Sequence, residues 1–163
     1  TLMDVQPTPF AVADVLQSIA DILRPMAEEK RLTMTWSGLA ADVRIGHPAA
    51  LNRVLLNLAT NAIKFTNAGV VDLRARDVDR LRVEFTVSDT GRGIPDYVMT
   101  HLFEAFRQRQ MPGDYAFSSA GLGLSICRRL AAILHGQIVL VSRVGTGSTF
   151  SLAFPRRLEE GLP

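Results

Sequence analysis

The chain has 163 residues, 47% of them hydrophobic, a formal net charge of +2 and one cysteine, Cys127. That length suits a single domain with a sizeable core, and scattered rather than blocked basic residues argue against a nucleic-acid face. The lone thiol excludes an internal disulfide and any cysteine-only metal cluster, and it fits a reducing compartment. The longest apolar runs, such as LAAIL, fall far short of the roughly 20 residues a membrane span needs. No signal peptide is visible, and the opening Thr1 in place of Met leads us to expect a fragment of a longer protein.

In chain order, TLMDVQPTPF predicts a short strand punctuated by Pro7 and Pro9. Val12, Val15, Ile19, Leu23 and Met26 recur at helical spacing and predict an amphipathic helix over about 11–30. LTMTWSG and DVRIG predict two short strands joined by a turn. HPAALNRVLLNLATNAIKFTNAG predicts a second helix, with Pro48 in its first turn and Asn67 and Gly69 at its end. Strands follow at about 70–76 and 81–89, joined by DVDR. From Gly91 to Gly121 no period is sustained, as expected of a functional lid or of disorder. A third helix is expected over about 122–134, then a hairpin turning at Gly145 and Gly147, then a polar tail. The fold class is α/β: a two-layer sandwich with three helices on one face of a mixed, mostly antiparallel sheet.

Four groups of residues carry possible chemistry. Asn57, Asn61 and Lys64 are spaced i, i+4, i+7 and stack on one helix face. That stripe borders the apolar stripe of Leu51, Val54, Leu55, Leu58, Ala62 and Phe65. Two amides and an ammonium there suit oxygen ligation of a hard cation and contact with phosphate; simple solvation is the alternative. In RVEFTVSD, Asp89 shares parity with Val83, Phe85 and Val87, which aims a carboxylate inward at the strand's last residue. An exocyclic amine such as that of adenine would satisfy it, with Gly91 and Gly93 letting a ligand approach; a turn or capping aspartate is the alternative. AGLGLSI runs a glycine loop into a helix, an anion site or a plain connector. Ser148 shares parity with Phe150, Leu152 and Phe154, which turns its hydroxyl inward.

In this order the segments resemble one family. NLATNAIKF is similar to the N box of sensor histidine kinases, DTGRGIP to the G1 box, LFEAF to the F box and GLGLSI to the G2 box. HGQIVLVSRVGTGSTF resembles their closing hairpin. The resemblance covers about residues 5–155 and implies the Bergerat ATP-binding fold shared with gyrase B, Hsp90 and MutL. It implies one domain over 1–163 with an ATP lid at about 94–120, and an upstream dimerisation and phosphoacceptor domain absent from this chain. It further implies that Mg-ATP donates its γ-phosphoryl to a histidine on that domain, and that a response-regulator receiver acts downstream. No nucleic acid and no direct membrane contact are implied, and the location is cytoplasmic whatever anchors the full-length protein.

Residue by residue, the resemblance makes Asn61 the Mg²⁺ ligand and Lys64 a phosphate contact. Asn57 stands where related ATPases place a water-activating glutamate; an amide cannot act as that base, so hydrolysis should be poor. Asp89 would accept from the adenine amine, assisted by Ser148. Gly91, Gly93, Ile94, Gly121, Leu122, Gly123 and Leu124 would shape the nucleotide site, and Phe103 and Phe106 would anchor the lid. Two positions depart from the pattern: Ser119 replaces a lid glycine, and His47 replaces a helix-capping aspartate. His47, His101 and His135 all lack the context of a phosphoacceptor. A nucleotide-binding module without kinase output, and another ATPase or protein kinase of this fold, are the alternatives.

Overall fold

Strands whose side chains alternate between apolar and polar form the floor on which the helices pack. The structure is a computed structural model that describes residues 6–38, 43–79, 82–99 and 123–155. The elements run β1 (Thr8–Ala11), α1 (Val12–Glu29), β2 (Thr33–Ser37), β3 (Val43–Gly46), α2 (Pro48–Phe65), β4 (Val70–Asp77) and β5 (Arg82–Asp89). They continue with α3 (Asp96–Met99), α4 (Gly123–Ile133), β6 (Gln137–Arg143) and β7 (Gly147–Pro155). The main sheet has the order β2-β4-β5-β7-β6. Among the described residues only β2 and β4 pair parallel in it; its remaining pairs are antiparallel.

One face of the sheet is apolar. Val71, Leu73 and Ala75 on β4, Val83, Phe85 and Val87 on β5, and Phe150, Leu152 and Phe154 on β7 are all buried. Phe85 and Phe154 stack with ring centroids 5.5 Å apart. The buried residues of α1, α2 and α4 join these strands in one core. The opposite face is mostly polar, although Val139 and Val141 of β6 are exposed on it: Thr35 bonds Asp72 at 2.6 Å, Arg76 bonds Glu84 at 2.8 Å, and Ser88 meets Thr149 at 3.1 Å. This is the expected two-layer sandwich with its mixed sheet. No helix among the described residues is long and apolar enough to cross a membrane.

Two details differ from the sequence patterning. β2 and β3, predicted as neighbours across a turn, enter different sheets, because β3 pairs with β1 in a separate antiparallel ribbon. Burial of Arg44 goes with that arrangement: its side chain is only 2% exposed, and its guanidinium bonds Asp77 at the end of β4 at 2.7 Å. An arginine taken out of water needs such a carboxylate. Secondly, the segment expected to open the lid begins as core. Ile94 and Val98 are buried, and the N–H groups of Val98 and Met99 both donate to the Pro95 carbonyl, closing the single turn of α3. The rest of the expected lid, with His101, Phe103, Phe106, Ser119, Gly121 and Leu122, lies outside the described residues, as does the polar tail.

Helices α1 and α4 end alike. Arg31 and His135 both adopt φ 58°, in the left-handed region that usually favours glycine. After α1, Leu32 N–H returns to the Ala27 carbonyl and Arg31 N–H to that of Glu28. After α4, Gly136 N–H returns to Ala131 and His135 N–H to Ala132. Both are Schellman closures with a side chain at the strained position. Arg31→Gly and His135→Gly are each expected to stabilise the fold by about 0.5–1 kcal/mol, read as a higher thermal midpoint; unchanged or lower midpoints would show that the side chains hold the turns.

Candidate functional site

The site begins with the acid at the end of β5. Asp89 continues the buried face of Val83, Phe85 and Val87 and is itself half-buried. It lies directly opposite Ser148 of β7. Burial pushes its carboxyl above the ordinary carboxylate range, and the backbone N–H groups of Gly91 and Ser148 partly oppose that shift. The Gly91 N–H donates to Oδ1 at 2.9 Å. Asp89 is therefore both a turn aspartate, as the plainer reading of DTG had it, and an inward-facing acid.

Ser148 is buried and within 2.7 Å of the Ser142 hydroxyl. Ser142 also accepts from the Ile94 N–H at 2.8 Å and lies 3.2 Å from the Gly147 carbonyl, to which it donates. A hydroxyl has one proton. With that of Ser142 given to Gly147, the Ser148 proton makes the 2.7 Å contact, which leaves the Ser148 oxygen able to accept from a further donor. Asp89 and Ser148 together form an acceptor wall.

The facing wall comes from α2. Asn61 is buried, Asn57 is half-buried and Lys64 is exposed, so the stripe does run along the border of the core. Asn57 bonds the thiol of Cys127 on α4, which is buried and pushed up to about 11 mainly by that burial. The two helices meet there, with Cys127 Sγ also 3.8 Å from the Val54 carbonyl.

One cleft brings together Asn61, Asp89, Gly93, Ile94 and Ser148, all named from sequence. Asn57 and Lys64 do not line it. Gly123 begins α4, and Leu124, the next residue of that helix, is buried. The glycines serve the protein's own packing: a Cβ on Gly93 (φ 75°) would run into the Arg143 carbonyl. One on Gly91 would sit 2.8 Å from the Phe65 carbonyl and 2.9 Å from Asp89 Oδ1. Sequence reasoning missed three participants. Phe65, assigned there to the apolar stripe, lines the cleft with Arg92, whose guanidinium lies 4.7 Å from its ring centroid. Ser142 was legible only as a polar residue at the inward parity of Ile138 and Leu140.

An acceptor wall beside an aromatic ring suits a flat heteroaromatic amine. The described residues contain no group of three His, Cys, Asp or Glu able to hold a metal ion. The Asn61 carboxamide offers one hard oxygen, a donor set that fits Mg²⁺ when a ligand's own phosphates and water complete its shell.

The family model for histidine kinase-, DNA gyrase B-, and HSP90-like ATPases matches residues 46–158. The autoinducer 2 sensor kinase/phosphatase LuxQ of Vibrio parahaemolyticus is 33% identical over 93% of this chain and 18% of its own length. The sensor histidine kinase AruS of Pseudomonas aeruginosa is 38% identical over 86% of this chain and 15% of its own. The chain thus spans less than a fifth of these relatives. Full-length ShkA in complex with AMPPNP superposes with a TM-score of 0.83 at 31% identity, covering 99% of this chain and 34% of that one. The nucleotide-free catalytic domain of ThkA superposes at 0.80 and 22% identity, covering 94% and 97%, and shares the fold.

The raised pKa of Asp89 fixes a sign. Its contribution to stability is fully present below the ordinary value of 3.8 and is lost as pH rises through the raised value. Asp89→Asn should therefore gain in thermal midpoint relative to the parent between pH 4 and pH 7. A relative loss over that range would mean that the anion is net stabilised.

Proposed function

Because the chain belongs to the histidine kinase-, DNA gyrase B-, and HSP90-like ATPase family, we propose that it is the ATP-binding catalytic domain of a sensor histidine kinase. ATP binds in the cleft and gives its γ-phosphoryl to a histidine of a separate dimerisation domain. A response-regulator receiver takes the phosphate onward in two-component signalling. The reaction draws on cytoplasmic ATP, which places the domain in the cytoplasm. The observation that carries the reading is the pairing of Asp89 with Ser148 across β5 and β7, in one cleft with Asn61.

Asp89 accepts from the adenine amine, and Ser148 assists it with the lone pairs left by its bond to Ser142. Phe65 and Arg92 flank the base. Asn61 holds Mg²⁺ through its carboxamide oxygen, and the bound ion supplies neutralisation of phosphate charge. Lys64, exposed at the end of α2, reaches phosphate. Gly91, Gly93, Ile94, Leu122, Gly123 and Leu124 shape the two ends of the site, with Gly121 and Phe106 in the segment between them. Asn57 has no basic lone pair with which to activate water, and its bond to Cys127 turns it toward α4. Phosphoryl transfer asks the protein mainly for positioning and charge, so losing hydrolysis leaves transfer intact.

Calorimetric titration is expected to show Mg-ATP binding by the parent chain, and a loss on the order of 100-fold in Asp89→Asn, since the amine then faces an unmatched group. Affinity should also fall as acid protonates Asp89, beginning above the ordinary carboxylate value of 3.8. Steady ATP hydrolysis should stay near the no-enzyme rate. Labelled phosphate should pass from ATP to an added histidine-bearing dimerisation domain while this chain stays unlabelled. A folded parent that binds no ATP sinks the reading, and brisk hydrolysis would move it to the ATPases of the family.

A further inference from the structure

The functional stripe of α2 ends at Lys64 and Phe65, and the end of a helix needs partners for its last carbonyls. Here one partner comes from far away in sequence. Lys30 Nζ lies 2.7 Å from the Ile63 carbonyl and 3.0 Å from that of Lys64. The Ile63 carbonyl also takes a long bond, 3.4 Å, from the Thr66 N–H.

Lys30 is itself tied down. It is the C-cap residue of α1, and the Schellman closure through left-handed Arg31 fixes its backbone. Buried Leu32 and the bond from Thr33 N–H to the Gly69 carbonyl then hold the chain that leaves it. The C-cap residue of α1 thus carries its half-buried ammonium to the C-terminal end of α2, where the helix holds partial negative charge.

We infer that Lys30 is a positioning residue of the nucleotide cleft, acting by capping α2 and so setting the orientation of Phe65. The inference rests on the kinase reading above. The carbonyl of Lys64 belongs to the peptide unit whose nitrogen is that of Phe65. Pinning that oxygen fixes the plane from which the Phe65 Cα–Cβ bond departs, and with it the ring that lines the cleft beneath Arg92. The same bond anchors the backbone of Lys64. Met at position 30 keeps the length of the side chain and removes the charge; Arg keeps the charge and donors.

The test compares the parent, Lys30→Met, Lys30→Arg and Leu23→Ala by Mg-ATP calorimetry and by backbone amide exchange without nucleotide, well below every melting point. Leu23 is a buried α1 residue that touches neither carbonyl in the bonds above, so it controls for lost stability. Lys30→Met is expected to weaken ATP binding about five- to tenfold, the net scale of a single ordinary hydrogen bond, and to speed exchange at Lys64 and Phe65. Lys30→Arg should return to within about twofold of the parent, and Leu23→Ala should bind as the parent does. Equal affinity in the parent and Lys30→Met overturns this inference alone, as does a loss in Leu23→Ala as large as that in Lys30→Met. A parent that binds no ATP overturns the kinase reading and, with it, this one.

Discussion

Everything at the cleft depends on an acid that the fold holds partly out of water. A carboxylate at the end of an otherwise apolar strand face is disfavoured by several times the thermal energy unless donors meet it. β5 answers with the Gly91 N–H, and β7 answers with the N–H of Ser148. Those bonds reduce the penalty without removing it, since the carboxyl still titrates high. The residual penalty is functionally informative: a donor arriving from outside gains more from this acid than from one already satisfied.

The surrounding geometry is arranged around that unsatisfied capacity. Ser142, itself held by the Ile94 N–H, orients the Ser148 hydroxyl as an acceptor. The close approach at Gly93 brings the backbone after the acid against the hairpin at Arg143, so the same few atoms that close the turn also set the cleft's rim. Across from them, α2 presents Asn61 from within the core border and Phe65 from its final turn. The end of that helix is held by an ammonium from α1, which ties the first helix to the cleft without contributing a lining residue.

Much of this was legible in the sequence, for identifiable reasons. Parity along RVEFTVSD and STFSLAF placed Asp89 and Ser148 inward, and a period-2 argument cannot err by one residue without turning a whole apolar set outward. The i, i+4, i+7 spacing likewise placed Asn57, Asn61 and Lys64 on one border. What escaped was of two kinds. Long-range partners carry no local pattern: nothing near Lys30 announces the carbonyls of α2, and nothing near Arg44 announces Asp77. Residues with dual character also misled. Phe65 fits the apolar stripe as well as any core residue, and Ile94 and Val98 sit in a stretch too short for a period, although they are core.

The direct opposition of Asp89 and Ser148 bears on how such a chain can change length over evolutionary time. Asp89 is the last residue of an eight-residue strand and Ser148 the second of a nine-residue one, and alternate side chains of both strands are buried. Inserting or deleting one residue inside β5 or β7 would turn the acid or the hydroxyl to the polar face and expose a row of core side chains at once. The connection between β4 and β5 has no such parity to keep, so a length change there leaves both partners where they are. Drift in length should therefore collect at the turns, while the two strands behave as rulers that measure the distance from the core to the cleft in units of two residues.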